Sequence, residues 1–465
     1  MKRAVAIVIA VMLSGAMVVL ALPPSGIWPL AWFALTPIFI ATRGTRFVIG
    51  FVAAVASAMF AAFVSTNGYL YRTGTSGGEP TWTYVGFALF GMIFGIVAAV
   101  ASEVKQPDFR LFAGIGAVAV LLEWASLQLV PALLELSQAS VFPLLLLASV
   151  TGIWGLGFLL WLYNFALAEM CARKSKWALG LLAFPVFLAT GSSASPLFKN
   201  GSVVEKVGLI QSEAYEVSTF RKLSQEAASQ GANLVVWPEF SGLLFVRNGN
   251  TVRLRSLAKE VKMPAFVTSF QDGNKPLPHN TAVLFSERGE SSAYYKRKLF
   301  GAESNMHMPG AKAVAVPWLN GKLGLNICFD SCYPAVIRDT ALLGADIIAL
   351  PTIDPSSPYS FFAANHAAFT PIRAAENGVS MIRCDGAAYS VIVDPYGRVV
   401  AHIPEGKDRF TVAEVPQTGH WTFYRWAGDW FLYLCGGILV WTLATSRRPA
   451  SLTKESASTQ PDLPS

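Results

Sequence analysis

Charge is scarce in this chain of 465 residues: Asp, Glu, Lys and Arg make up 14% of it, against roughly 25% in ordinary globular chains. A disordered protein needs low hydrophobicity and high charge density, and 53% of this sequence is hydrophobic, so that class is excluded. Cysteine is also sparse, five residues spread over the whole length, which excludes a disulfide-rich scaffold. Histidine numbers five as well, and His279, His307 and His366 stand in no spacing typical of metal ligands. No internal repeat or long low-complexity tract is evident.

Long apolar sequence is what the chain has in excess. Charge-free stretches recur at Ala4–Leu22, Ile27–Thr42, Phe47–Ser65, Trp82–Ser102, Leu111–Leu134, Ser140–Ala168, Trp177–Ser192 and Trp430–Ser446, broken only by Glu123. Most can cross a hydrocarbon layer of about 30 Å, which takes roughly 20 helical residues. Ile27–Thr42 and Trp177–Ser192 are shorter and read as re-entrant, or as extended by their flanks. Too little polar surface remains to clothe so many helices as a soluble core. With the N-terminus in the cytoplasm, eight crossings put Lys2, Arg3, Arg43, Arg46, Lys105, Arg110, Arg173, Lys174, Lys176, Arg447 and Arg448 inside, and leave Arg72 in the short outer loops. That is the positive-inside bias. It assigns the net charge of +7 to topology rather than to nucleic-acid binding. Residues 1–22 also have the basic start and apolar run of a signal peptide, but Pro23-Pro24 and Ile27 lead straight into the next apolar stretch, so an uncleaved crossing is expected. Glu123, an ionisable group within a crossing, reads either as near the outer interface or as part of a helix contact.

From Val203 to Val415 charge returns. Short β-rich runs at Val207–Gln211, Asn233–Trp237, Ala265–Ser269, Thr281–Phe285, Ser292–Lys296, Leu323–Cys328, Asp346–Leu350, Val379–Arg383 and Ser390–Val393 alternate with helical patterns at Val217–Gln230, Val252–Val261, Pro334–Leu343 and Ser360–Gly378. The expected architecture is a multi-pass α-helical membrane domain of about seven helices over residues 1–200, an extracytoplasmic α/β domain over 203–416, a C-terminal transmembrane helix over 426–446 and a disordered tail over 449–465.

Three residues of the α/β segment close predicted strands: Glu239 after Leu234-Val235-Val236-Trp237-Pro238, Lys296 after Tyr294-Tyr295, and Cys328 after Gly324-Leu325-Asn326-Ile327. Strand ends are where side chains from separate segments converge on one crevice. A thiol needs a base to become a thiolate, and a cation helps it further, so carboxylate, ammonium and thiol together form a sufficient set without histidine. Each residue alone reads more readily as structure than as chemistry: a small buried hydrophobe, a turn, a solvated charge. Cys332 reads as packing, although it lies four residues after Cys328. A Cys–His pairing of Cys328 with His307 or His366 is the rival scheme, and it leaves Glu239 and Lys296 unexplained.

In order, Val235-Val236-Trp237-Pro238-Glu239, Tyr295-Lys296-Arg297-Lys298-Leu299-Phe300 and Ile327-Cys328-Phe329-Asp330 resemble the three signatures of the nitrilase superfamily. Arg373-Ala374-Ala375-Glu376-Asn377 and Asp394-Pro395-Tyr396-Gly397-Arg398 match too. The opening Leu22-Pro23-Pro24-Ser25-Gly26-Ile27-Trp28-Pro29 and the late Gly428-Asp429-Trp430 resemble its membrane-embedded branch, the apolipoprotein N-acyltransferase family. The resemblance implies a nitrilase-like αββα sandwich for residues 203–416. In it Glu239 is the general base, Lys296 the oxyanion stabiliser and Cys328 the nucleophile, supported by Glu303, Asp330 and Phe329. It further implies a phospholipid acyl donor, a Cys thioester, a diacylated apolipoprotein acceptor and a monomer embedded in membrane lipids, in the bacterial inner membrane with the catalytic domain periplasmic. No cofactor, metal or nucleic acid enters. The sequence departs from the family pattern in three places. Gly301-Ala302-Glu303 carries one residue more than the usual Gly-Glu, Phe329-Asp330 replaces Tyr-Glu, and the tryptophan expected near Gln211–Tyr215 is missing. The alternative is therefore a membrane-anchored amidase, or an acyltransferase with a different acceptor. A transporter is disfavoured by crossings so poor in charge.

Overall fold

A computed structural model describes residues 1–67, 79–104, 109–127, 129, 131, 133–174, 183–185, 187–190, 204–213, 215–244, 251–260, 265–273, 276–355, 360–406 and 408–446. Most of Trp177–Ser192, the loop holding Arg72, and the tail 449–465 lie outside the described residues.

Among those described, four helices are long and apolar enough to cross a membrane: Lys2–Ala21, Phe47–Ser65, Thr81–Glu103 and Ile153–Ala172. Small residues let them pack closely, as hydrocarbon-embedded helices require. A Cβ added at Gly50 would stand 2.8 Å from the Ala98 carbonyl oxygen of the neighbouring helix. Phe109–Ser126 and Trp430–Ser446 are further apolar helices of the bundle.

Two expected crossings are not single helices. Ile27–Thr42 divides into a 3-10 turn, Trp28–Trp32, and a short α-helix, Thr36–Thr42. Ser140–Ala168 divides at Gly152 into Phe142–Thr151 and Ile153–Ala172. Gly152 has φ +68° and lies so near the Tyr424 ring that a Cβ would come within 2.6 Å of it. This close approach in a left-handed conformation is one that glycine alone accepts readily. The freed Ile153 N–H donates to Glu376 Oε1 at 2.7 Å. Charge-free sequence cannot reveal such a break, because the carboxylate that completes it lies 223 residues further on.

The α/β part is two face-to-face sheets with helices outside. One sheet runs Arg409–Pro416, Val204–Gln211, Leu234–Val236, Ala265–Asp272, His279–Ser286, Gly289–Glu290, with Tyr294–Tyr295 also on His279–Ser286. The other runs Val399–Ile403, Ser390–Val393, Ser380–Cys384, Ile347–Pro351, Gly321–Leu325, Val314–Trp318. Each is parallel at its centre and antiparallel at its edges. Alternation along the strands decides the layers. Leu209, Val236 and Val267 of the first sheet share a core with Leu325, Ala349 and Ile382 of the second. Val235 and Phe266 turn outward onto Phe220, Leu223 and Leu257 of the helices Val217–Ser229 and Val252–Glu260. Ile348 and Met381 turn onto Ile337 and Ala374 of Pro334–Leu342 and Ser360–Asn377.

The two parts are riveted together by buried polar contacts as well as apolar ones. Besides Ile153 to Glu376, Asn365 donates to the Pro23 carbonyl at 2.8 Å, while the Trp154 indole to Asp429 and the Trp430 indole to the Val150 carbonyl, each at 2.8 Å, fix the last helix in the bundle. Arg373 forms a fully buried ion pair with Glu376, so the family-like Arg373–Asn377 segment joins the sandwich to the bundle.

Candidate active site

Glu239, Lys296 and Cys328 meet between the sheets. After Leu234–Val236, Trp237 N–H still donates to Val267 of its own sheet, whereas Glu239 N–H donates to the Thr352 carbonyl of the other. The chain thus crosses the interlayer at the carboxylate. Lys296 follows a strand of two residues only, shorter than expected, and its N–H donates to the Asn280 carbonyl at 2.9 Å. Cys328 does not close a strand. Pairing stops at Leu325, and Cys328 opens a 3-10 turn, Cys328–Cys332, with φ +49°. The turn re-aims the thiol toward Glu239, a placement that straight strand geometry does not give.

The Lys296 ammonium donates to Glu239 Oε1 at 2.9 Å and Glu303 Oε2 at 2.7 Å. Asn280 bridges the same two carboxylates, donating to Glu239 Oε1 at 2.7 Å and Glu303 Oε1 at 3.0 Å. Glu239 Oε2 accepts from Ile353 N–H at 3.2 Å. All three predicted catalytic residues are buried. Burial pushes Glu239 above the ordinary carboxylate range; Lys296 opposes this and Glu303 adds to it. Burial also pushes the Cys328 thiol well up, as does the Glu239 charge, while Lys296 pulls it down. At Lys296 burial disfavours the charge, yet Cys328 when it is a thiolate, and the Glu239 and Glu303 carboxylates, outweigh it and hold the ammonium protonated. At Glu303 burial is likewise outweighed by Lys296, leaving its carboxyl below the usual range. The geometry suits a reluctant thiol that gives its proton to a carboxylate of strengthened basicity only when an acyl carbon is at hand.

The extra residue before Glu303 is absorbed by a 3-10 turn, Gly301–Asn305, so the carboxylate still reaches Lys296. Asp330 acts differently. Its Oδ1 accepts from Arg297 N–H at 3.2 Å and Lys298 N–H at 2.9 Å; its Oδ2 accepts from the Tyr294 hydroxyl at 2.6 Å and Ile327 N–H at 3.0 Å. It is a strut tying the lysine segment to the cysteine turn. Phe329 packs on Phe300, ring centroids 4.8 Å apart. Cys332 is buried beside it, its thiol pushed up by burial. His307 stacks on Phe240 and approaches Glu303, whereas His366 reaches the Cys328 carbonyl. Sequence reasoning missed Asn280, Tyr294, Asp354 and Arg383. Asp354 follows a strand as Glu239 does, and Arg383 is a charge inside an apolar strand; those were the available signals.

Cys328, Asp354 and His366 place potential metal-ligand atoms within 4.8 Å of one another. Asp354, however, already holds Arg383 and His366 Nδ1. The set is therefore an ion-pair and hydrogen-bond network, and we assign no metal to it. Glu123 proves to be a helix contact. It accepts the Trp161 indole N–H at 2.9 Å beside Glu135, where a Cβ on Gly157 would collide with the Glu135 carboxylate.

Beside the turn lies an apolar cleft of about 690 Å³, open mouth included. Val18, Leu22, Phe87 and Phe90 of the membrane helices face Phe329, Phe362, His366 and Phe369 of the sandwich across it.

This sandwich and cluster define a class. Residues 210–421 match the carbon-nitrogen hydrolase family, and a nitrilase from Pyrococcus abyssi is 30% identical over 43% of this chain and 82% of its own. The chain belongs to that family. Its membrane part gives the branch: residues 14–166 match the apolipoprotein N-acyltransferase N-terminal domain. An apolipoprotein N-acyltransferase of Geobacter metallireducens is 26% identical over 94% of this chain and 95% of its own. Among solved structures, an amidase from Nesterenkonia sp. is 22% identical over 51% of this chain and 97% of its own, with a TM-score of 0.42.

Proposed function

We propose that this chain is an apolipoprotein N-acyltransferase. Cys328 attacks an acyl ester of a phospholipid while Glu239 takes the thiol proton. Lys296 stabilises the oxyanion, and the lysophospholipid leaves with the proton that Glu239 returns. The thioester is then attacked by the α-amine of a lipoprotein's N-terminal diacylglyceryl-cysteine. The single observation that carries this reading is the apolar cleft, walled on one side by membrane helices and on the other by the sandwich, that reaches Phe329 and Cys332 of the turn opened by Cys328. A soluble amidase has no use for such a wall; an enzyme drawing acyl chains from a bilayer does. Basic residues at Arg43, Arg46 and Arg173 support an inner-membrane orientation with the sandwich on the periplasmic side. Asp330 spends its oxygens on Tyr294 and backbone groups, so its replacing a longer acid alters a strut rather than an acceptor-facing wall.

The test is transfer of a labelled acyl chain from phospholipid to a synthetic diacylated lipopeptide by the full chain in detergent. Transfer present in the wild type and absent in Cys328→Ala supports the reading. Transfer that survives Cys328→Ala, or acyl release to water alone, refutes it.

A further inference from the structure

Beside Cys328 lies a second polar network that the scheme above leaves unused. His366 Nδ1 is 2.9 Å from both oxygens of Asp354, and Arg383 holds the same carboxylate. His366 Nε2 faces the Ser331 hydroxyl at 3.2 Å and the Cys328 carbonyl oxygen at 3.3 Å. All are buried. The Cys328 sulfur, a ring nitrogen of His366 and an Asp354 oxygen lie within 4.8 Å of one another. His366 is also the one basic side chain among the described residues lining the apolar cleft.

We propose that His366 is a second proton acceptor of this site: its Nε2 takes the proton of a cationic amine acceptor, so that the neutral amine can attack the acyl group on Cys328. The inference rests on the acyl-transfer reading above and assigns a residue to its second half.

An ionised carboxylate only accepts hydrogen bonds, so Nδ1 carries the proton toward Asp354 and the lone pair of the neutral ring sits on Nε2. Ser331 has one hydroxyl hydrogen and two acceptors within reach, Nε2 and the Cys328 carbonyl at 2.9 Å. In the resting state one of these acceptors goes without. Protonating Nε2 resolves the shortage, because the new N–H can donate to the Cys328 carbonyl while Asp354 balances the imidazolium. Gaining a proton here completes a hydrogen-bond set. The charged and titratable groups facing the ring are Asp354 and Arg383, with Cys328 and Cys332 on the turn and Asp385 beyond Arg383. Burial and Arg383 hold the ring neutral at rest against the pull of Asp354.

A second acceptor is useful because a cationic amine brings two protons that must leave. An α-amine has an ordinary pKa of about 7.7–8.0, so at pH 7 the acceptor arrives mainly as ammonium. Nε2 removes one proton and frees the lone pair. The C–N bond forms, Lys296 stabilises the oxyanion, and the second N–H proton passes to Glu239. The C–S bond breaks and Glu239 returns that proton to sulfur. The imidazolium releases the first proton to water. One ammonium and one thioester become one amide, one thiol and one free proton.

The experiment acylates the full chain on Cys328 with labelled phospholipid, then measures discharge at pH 7 by a diacylated lipopeptide and, separately, by hydroxylamine, a small amine already neutral there. In His366→Gln the ratio of lipopeptide to hydroxylamine discharge should fall by about 100-fold, the scale of a lost general base. It should recover as the pH is raised past the α-amine's own pKa, or when imidazole is added to His366→Ala. Hydroxylamine discharge itself shows that the variant is folded. An unchanged ratio, a deficit indifferent to pH, or a His366→Gln chain that cannot be acylated would each overturn the inference. A wild type that never forms the adduct would sink the acyl-transfer reading itself.

Discussion

Asp330→Asn isolates the strut between the lysine segment and the cysteine turn. The carboxylate is fully buried and takes four donors, two on each oxygen. An amide keeps one accepting oxygen. Its best orientation turns the NH₂ toward the Tyr294 hydroxyl, which can accept in turn, and leaves Ile327 N–H facing a donor. One orphaned buried N–H costs about 1–3 kcal/mol, and the two remaining bonds lose their charge assistance. The sum is about 3 kcal/mol. For a cooperative unit of this size, 1 kcal/mol moves the melting midpoint by roughly 2–4 °C, so thermal unfolding in detergent should show a drop of about 6–12 °C. Because Asp330 sets Lys296 against Cys328, acylation and discharge should fall together. An unchanged melting point would refute the strut assignment. So would normal acylation with discharge to lipopeptide alone impaired, which would make Asp330 an acceptor-facing group.

Other consequences are independent of that one. Glu303→Gln removes a charge that raises Glu239, so the acid limb of the acylation rate, where Glu239 becomes protonated and useless as a base, should move to lower pH in a pH–rate profile. Glu303 itself is held low. Its contribution to stability is present above the unfolded carboxyl range and is lost as the pH falls through its depressed folded value, which acid unfolding of wild type against Glu303→Gln would show. Gly152→Ala meets both a left-handed backbone and the Tyr424 ring, and should cost about 1–3 kcal/mol with loosened Ile153–Glu376 contact, read by melting. Val18→Phe narrows the cleft, so acylation by long-chain phospholipids should slow more than acylation by short-chain ones; equal slowing would remove the acyl chain from that cleft.

Much of the sandwich was written in local pattern. Helices expected at Val217–Gln230 and Pro334–Leu343 form at Val217–Ser229 and Pro334–Leu342, because Phe220, Leu223 and Ala227 fall on one helical face against a strand layer. The edge strands Val314–Trp318 and Val399–Ile403 went unread. One carries Pro317, the other exposes Val399 and Val400, so neither shows the apolar alternation of a half-buried strand. Glu239, Lys296 and Cys328 were legible as an ordered set, each beside an apolar run. Asn280, Asp354 and Arg383 were not: beyond the faint marks of a residue after a strand and a charge within one, their meaning comes from partners elsewhere in the chain, Asn280 from Glu239 and Glu303, Arg383 from Asp354. The break at Gly152 is of the same kind. A glycine in an apolar run looks like any helix-packing residue until Tyr424 and Glu376 arrive beside it.

In the proposed reaction Cys328 carries the acyl group between two lipid-anchored partners. Peptide mass mapping of the full chain, quenched in acid after brief exposure to phospholipid with a labelled acyl chain, tests it most directly. One labelled thioester is expected on the peptide containing Cys328, discharged when diacylated lipopeptide is added. Label on Cys332 or elsewhere, or a Cys328 adduct that lipopeptide never discharges, would contradict it.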